Sequence, residues 1–155
     1  EITQADKLAD ALVSASDKDL EEKISEYQKA KGEHYTVAIA FAVSQMEKER
    51  KKKGQDALVN RLVRMTPETL RKFIVVNSPE LRRACCLACA MKDDKSHVVD
   101  LAGRILDPDE EVVKAARAGL RSLTGEDFGP TPDSNDDEKQ AIFSKWKFWI
   151  SNNRK

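Results

Sequence analysis

The chain has 155 residues, which is long enough for one domain with a sizeable hydrophobic core. Lysine and arginine together number 27, as do aspartate and glutamate, and this zero net charge removes the electrostatic argument for a dedicated binder of nucleic acid or anionic membranes. The longest apolar run, VAIAFAV at 37–43, falls far short of the roughly 20 residues that span a bilayer, so no transmembrane segment is predicted.

Apolar residues recur at helical spacing along the chain, and no segment combines strand alternation with hairpin turns. The fold class is therefore predicted to be all-α. The first helix covers about 3–14, and the second runs from a capping box at Ser16 to a stop at Gly32. Further helices are expected over about 33–52, 55–65, 66–75, 79–91, 95–106, 108–123 and 136–151.

The third helix is expected to be the longest, and Gly54 is expected to end it. Its apolar stripe begins at Tyr35. Val37 and Phe41 widen that stripe, so the first half of this helix should be buried on most sides.

Two helices within 78–124 are predicted to begin in the same way. Ser78-Pro79 and Asp107-Pro108 each place a capping side chain just before a proline. Such a cap accepts a bond from a free backbone N–H, and proline at the first helical position loses nothing because an N–H there would have no partner.

The apolar stripes also repeat along the chain. One begins at Tyr35, another at Leu81 and a third at Val112, and a further cap and proline stand at Thr66 and Pro67. Paired helices with a period of about 40 residues predict a solenoid, because each pair exposes an apolar side that only a neighbouring pair covers.

After the eighth helix the chain changes character. The segment 125–135 is rich in proline, glycine, serine and acidic residues and is expected to be a loop. The last helix carries Trp146 and Trp149 on one face, so it is expected to cap the open end of the solenoid. We therefore predict a helical repeat array over 1–124, this loop, and a capping helix over 136–155, all within a single domain.

Two predicted helices, SPELRRACCLA and DPDEEVVKAARAGL, open with the same pattern. Each has a capping residue and a proline, then a leucine or valine, and then an alanine followed by cysteine or alanine. This pattern resembles HEAT and HEAT-like (armadillo-type) repeats. The second copy matches well, whereas the first departs at Cys85 and Cys86, where small apolar residues are usual. The resemblance covers 78–124 and extends more weakly over 33–77. The tail LTGEDFGP, followed by the tryptophan-containing helix, is similar to the ending of some bacterial HEAT-bearing proteins.

The resemblance implies a right-handed superhelix of antiparallel helix pairs whose concave face contacts macromolecules. It does not imply a reaction, since HEAT folds serve as scaffolds, as adaptors, as phycobilisome-lyase-like modules and, in one branch, as DNA alkylpurine glycosylases.

Inner helices would line that concave groove. Asn60 and Arg64 of the fourth helix, and Asp100 and Arg104 of the seventh, point away from the apolar stripes and occupy related positions in the repeat. They are candidate partner-binding residues on the floor of the groove. The alternative is that they form surface pairs four residues apart, each contributing a few tenths of a kcal/mol.

Lys51, Lys52 and Lys53 complete the strongest local cluster of positive charge. At the expected C-terminus of the third helix they would interact favourably with the helix dipole. The functional alternative is a patch for phosphate or for an acidic partner. The run lacks the interleaved aromatic residues that stack on single-stranded nucleic acid.

No residue pattern assigns a catalytic group, a cofactor or a metal. Cys85, Cys86 and Cys89 contain a C-x-x-C, but a zinc or cluster site needs further ligands, and His34 and His97 are distant in sequence. We expect reduced cysteines that fill a seam between helices, with Cys86, off the apolar stripe, as the one to test for reactivity. Each histidine is expected to be a surface or packing residue.

We therefore predict a non-catalytic interaction or scaffold module that binds a protein or peptide partner through a concave face. The alternatives are a nucleic-acid-binding or glycosylase-like HEAT protein, and a structural piece of a larger chain. The reduced-looking cysteines favour the cytoplasm, whereas the missing initiator methionine leaves an exported mature form open.

Overall fold

The computed structural model describes residues 3–153. Within that range all regular structure is helical and no strand occurs, which confirms the predicted fold class. The α-helices are α1 (Gln4–Ser14), α2 (Asp17–Lys29), α3 (Glu33–Ser44), α4 (Lys48–Val63), α5 (Pro67–Phe73), α6 (Pro79–Met91), α7 (Val98–Gly103), α8 (Glu110–Thr124) and α9 (Asp136–Asn152), with 3₁₀ turns at Lys95–His97 and Arg104–Leu106. The chain divides into two compact units, unit 1 (Glu1–Met65) and unit 2 (Thr66–Lys155).

Unit 1 contains α1 to α4 around one apolar core. The helix α3 packs against α1 and α4, and α4 also packs against α2. The predicted stripe of α3 lies in this core, since Ile39, Ala42 and Val43 are buried. The expectation that the helix is buried on most sides is wrong, because Val37 is 39% exposed and Phe41 is 49% exposed.

The helix boundary predicted at Gly54 is also wrong. The helix α3 ends at Ser44, and α4 begins at Lys48, after an extended Glu47. Gly54 lies buried inside α4, where an added Cβ would come within 2.6 Å of Val43 Cγ2. Glycine is therefore needed here for the close approach of α3 and α4 rather than to end a helix.

Two arginines of α4 bind the C-terminal ends of α1 and α2. Arg50 Nη2 donates to three carbonyl oxygens within 12–15 at 3.0–3.2 Å. Arg61 donates to carbonyl oxygens within 27–32 and, through Nε, to Thr36 Oγ1 at 2.7 Å. The last carbonyls of a helix have no partner within that helix, so these guanidinium groups satisfy them.

Unit 2 contains α5 to α9, and α6 packs mainly against α8. Thr66 caps α5 and Ser78 caps α6, as predicted, and each side chain accepts a bond from the backbone N–H three residues later. The predicted stripes of α6 and α8 are buried. They consist of Leu81, Ala84, Cys85, Ala88, Val112, Ala115, Ala116, Gly119, Leu120 and Leu123.

The helix cap predicted at Asp107 is wrong. The helix α8 begins at Glu110, and the side chain of Asp109 accepts bonds from the backbone N–H groups of its first turn. Asp107 is instead buried in a cluster of arginines described below. The two helix starts in 78–124 therefore differ in structure although their sequences look alike.

The helix α9 packs against α7 and against the 3₁₀ turn Arg104–Leu106, which follows α7. Trp146 is the buried anchor of α9, and its ring centroid lies 4.6 Å from that of Phe128 in the preceding loop. Arg117 of α8 holds this loop. It binds Asp127 through Nε and Nη2 at 2.9 and 3.0 Å, and it donates to the carbonyl of Pro130.

Candidate interaction surface

The four predicted groove residues are divided between the two units. Asn60 and Arg64 stand at the C-terminal end of α4 in unit 1, and both are exposed. Arg64 Nε donates to the carbonyl of Asn60 at 3.3 Å. Asp100 and Arg104 lie on α7 and at the start of the following turn in unit 2. A groove floor built from all four residues stays a prediction.

Asp100 is already engaged within unit 2. Its Oδ2 accepts a bond from Arg71 Nε at 3.2 Å and lies 3.3 Å from His97 Nδ1. His97 is fully buried, and its Nε2 has no hydrogen-bond partner among the described residues. Asp100 therefore ties α7 to α5 and orients a buried packing histidine.

Arg104 belongs to a buried ionic cluster around Asp107. Arg82 donates through Nε and Nη2 to the two carboxylate oxygens of Asp107 at 2.8 and 2.9 Å, and Arg104 Nη1 donates to the same carboxylate at 3.0 Å. Arg82 Nη1 donates to the carbonyls of Val76 and Asn77, both at 2.9 Å. The cluster therefore joins α6 to the segment after α5 and to the segment before α8.

Both members of the central pair stay ionised in this cluster. Burial alone would raise the pKa of Asp107, but the hydrogen bond and charge of Arg82, together with the charge of Arg104, hold it below its usual value. The hydrogen bond to Asp107 likewise raises the pKa of Arg82. Because the carboxylate oxygens of Asp107 are already bonded to Arg82 and Arg104, this cluster leaves little for an external ligand to bind.

The lysine run lies in the first turns of α4, so its explanation as a favourable helix C-terminus is wrong. Lys53 Nζ binds Glu21 Oε1 at 2.8 Å, and Lys52 Nζ lies 3.5 Å from Asp56 Oδ2. The contact with Lys53 lowers the pKa of Glu21 and raises that of the lysine. Lys51 is engaged as well. A phosphate or acidic partner would have to compete with these contacts.

The cysteines fill the packed surfaces of α6, as predicted. Cys85, Cys86 and Cys89 are buried free thiols. Burial raises the pKa of Cys85 and Cys86 far above the usual range and that of Cys89 to about 12. Cys86, which lies off the predicted stripe and was the thiol to test for reactivity, is also fully buried. In the described part of the chain, no group of three or more His, Cys, Asp or Glu side chains could hold a metal ion.

An exposed apolar surface on α9 was not predicted from the sequence. Phe148 is 70% exposed and borders an open cavity of about 660 Å³. The signal was present, because Phe148 lies two residues after Trp146, about 200° around the helix, and so cannot share its buried face. We call this region the α9 surface. It is lined by Glu126, Phe128, Ala141, Ser144, Lys145, Phe148, Trp149, Asn152 and Asn153.

Packed rings lie beneath the α9 surface. Phe128 and Trp149 have ring centroids 4.6 and 5.8 Å from that of Trp146, which is almost fully buried. Complete burial of a phenylalanine side chain is worth about 1.5–3 kcal/mol, and Phe148 leaves most of that contribution unrealised. The α9 surface therefore combines a supported aromatic floor with one projecting ring.

No family model, curated protein or solved structure matches this chain, so these comparisons neither support nor contradict the HEAT-like resemblance. Among the helices within 3–153, none is both long and apolar enough to cross a membrane. Function must therefore be inferred from the surfaces of the two units.

Proposed function

We propose that this protein is a non-catalytic interaction or scaffold module of the HEAT-like type that binds a protein or peptide partner. In this proposal the helix pairs stack as a solenoid, α9 closes one end, and the partner contacts both the concave face and the α9 surface. The long packed contact between α6 and α8, with buried stripes on both helices, supports the HEAT-like part of the proposal.

Exposure of Phe148 is the observation that carries the binding function. A terminal helix that only closed a repeat array would be expected to present a polar outer face. Instead, α9 presents an aromatic ring at 70% exposure beside a cavity floored by other aromatic side chains. Exposed apolar patches mark interaction sites more often than scattered exposed residues do, and aromatic residues are enriched in protein interfaces.

A nucleic-acid partner has weaker support. Positive charge that contacts phosphates must be available, and Lys52 and Lys53 are already close to carboxylates. The α9 surface carries one lysine, Lys145, and one glutamate, Glu126, so it offers no net charge to a phosphate backbone. An apolar surface with one charge of each sign suits a protein or peptide.

Site-specific photo-crosslinking tests this proposal. A photoreactive phenylalanine analogue is placed at Phe148 and, as a matched control, at Val75, which is 63% exposed in the same unit. We expect discrete protein adducts in native cells from the first position and none from the second. The same adduct pattern from both positions would contradict a specific site at α9.

The groove is tested separately, because it depends on different residues. Arg64 is exposed, and within 3–153 its side chain bonds to the carbonyl of Asn60 in its own helix end. Reversal of its charge should reduce capture of the partner if the concave face takes part. Arg104 is unsuitable for this test, since its reversal would disturb Asp107. Unchanged capture by Arg64→Glu would count against the groove while leaving the α9 surface in place.

A further inference from the structure

We propose that the partner of the α9 surface is the α9 surface of a second copy of this chain, in a two-fold symmetric dimer. This inference rests on the proposed function and names the partner of the same surface. In a two-fold interface the same surface of both copies meets. If residue i of the first copy contacts residue j of the second, residue j of the first contacts residue i of the second, so the surface must be complementary to itself. The α9 surface meets this condition in its shape and in its charge.

The shape is a projecting ring beside a shelf of small side chains. Ala141 and Ser144 precede Phe148 by seven and four residues, so all three lie on one face of α9. All three are exposed and line the same cavity. When two such helices cross in antiparallel directions about a two-fold axis, each Phe148 is placed over the small side chains of the other helix and both rings are buried.

The charges are complementary in the same way. Glu126 comes from the loop wall of the cavity and Lys145 from the helix wall. Neither has an ion-pair partner among the residues that the structure describes, whereas Lys139 on the same helix binds Glu110 and Asp127 in the same loop binds Arg117. Two-fold pairing would bring Lys145 of each copy close to Glu126 of the other copy. A surface with charges of only one sign would instead repel its copy.

Sedimentation velocity and light scattering over a wide range of protein concentration test the dimer. The mass should rise from that of the 17.4 kDa chain to about twice that value as the concentration increases. Phe148→Asp should weaken association at least about tenfold, as expected for loss of a central aromatic anchor. Val75→Asp, an equally drastic change at a similarly exposed position in unit 2, should leave association unchanged.

Charge reversal provides an independent test of the geometry. Glu126→Lys and Lys145→Glu should each weaken association, and the double variant should restore it because the pair is re-formed across the two-fold axis. Far-UV circular dichroism should be unchanged in every variant, since these side chains are exposed. A wild-type chain that remains monomeric at every concentration overturns the dimer, as does a dimer that Phe148→Asp leaves intact.

The outcomes separate this inference from the proposed function. A monomeric chain that still gives adducts with a different protein from position 148 overturns the second copy and supports a foreign partner at the α9 surface. A chain that gives no adduct of any kind from that position removes the dimer and the α9 surface as a binding site, whereas the concave face is decided by Arg64→Glu. Adducts of the chain with itself, at twice the monomer mass, support the dimer directly.

Discussion

Replacing Asp107 by asparagine should destabilise unit 2 far more than the same replacement at Asp127. Each aspartate accepts two parallel hydrogen bonds from one arginine, Arg82 or Arg117, at 2.8–3.0 Å, and each arginine also donates to a backbone carbonyl. The two pairs differ in burial. The side chains of Arg82 and Asp107 are 9% and 0% exposed, and those of Arg117 and Asp127 are 35% and 27% exposed.

The difference in burial sets the expected magnitude. Asp107→Asn leaves the guanidinium of Arg82 buried without its counter-ion, and breaking a buried pair in this way costs about 3–5 kcal/mol. Asp127→Asn removes a pair that water screens, and such a pair contributes about 1 kcal/mol or less. The substitution, the two-bond arginine contact and the unit are the same for both changes. The pairs differ in burial and in a second arginine, which lies 3.0 Å from Asp107 as Arg104 but 3.9 Å from Asp127 as Arg121.

Tryptophan fluorescence during urea unfolding reports on unit 2 alone, because both tryptophans of the chain, Trp146 and Trp149, belong to it. With a urea dependence of about 1–2 kcal/mol per molar for a unit of this size, Asp107→Asn should lower the midpoint by about 1.5 M or more. Asp127→Asn should lower it by less than about 1 M. Equal midpoint shifts in the two variants would refute the view that burial determines the contribution of these pairs.

The acid dependence of stability provides a second measurement of the same pair. The pKa of Asp107 is lowered in the folded chain, so near that pKa the unfolded chain binds more protons than the folded one. The stability from Asp107 is therefore present above its unfolded pKa of about 4 and is lost as the pH falls through the folded pKa. The wild-type midpoint should fall between about pH 5 and pH 3 by more than that of Asp107→Asn.

Three further predictions concern two helical glycines, the buried thiols and an arginine that binds carbonyls at a helix end. Thermal unfolding should show that Gly54→Ala destabilises the chain by about 1–2 kcal/mol, because the added Cβ meets Val43, and that Val43→Ala recovers part of this loss. The control Gly103→Ala, where an added Cβ meets nothing within 4 Å, should stabilise the chain by up to about 1 kcal/mol. The three cysteines should react with an aromatic disulfide reagent only after denaturation, whereas one fast-reacting thiol in the native chain would contradict their burial. Arg61→Met should cost at least about 2 kcal/mol in urea unfolding followed by circular dichroism, because several carbonyls at the end of α2 lose their donor, and an unchanged midpoint would contradict this role.

The positions and buried faces of the helices could be predicted because apolar periodicity is a local property of the sequence. The start of α4 could not be predicted in this way. No glycine or proline stands within 45–47, and the bend there is fixed by contacts with distant residues. Met46 at the bend is buried in the core of unit 1. In the new helix that begins at Lys48, Arg50 donates to carbonyls at the end of α1.

Asp107 illustrates the same limit for side chains. Before a proline and ahead of an apolar stripe, an aspartate has the local signature of a helix cap. The interaction that prevails is with Arg82, 25 residues earlier, and nothing in local spacing identifies that partner. The exposed Phe148, in contrast, could have been found from sequence, because a residue two positions after the buried Trp146 lies on the opposite side of the helix.

Arginines recur as donors to backbone carbonyls where helices end. Arg50, Arg61, Arg82 and Arg117 each bind one or more carbonyls at the end of an earlier helix or in a neighbouring loop. A composition of 35% charged residues therefore overstates the charge available for ligands. It also follows that replacing an arginine in this chain changes stability as well as any binding it supports, so loss of binding in such a variant is ambiguous. The uncharged, exposed Phe148 does not carry that ambiguity, because its replacement removes a surface contact while every arginine–carbonyl contact remains in place.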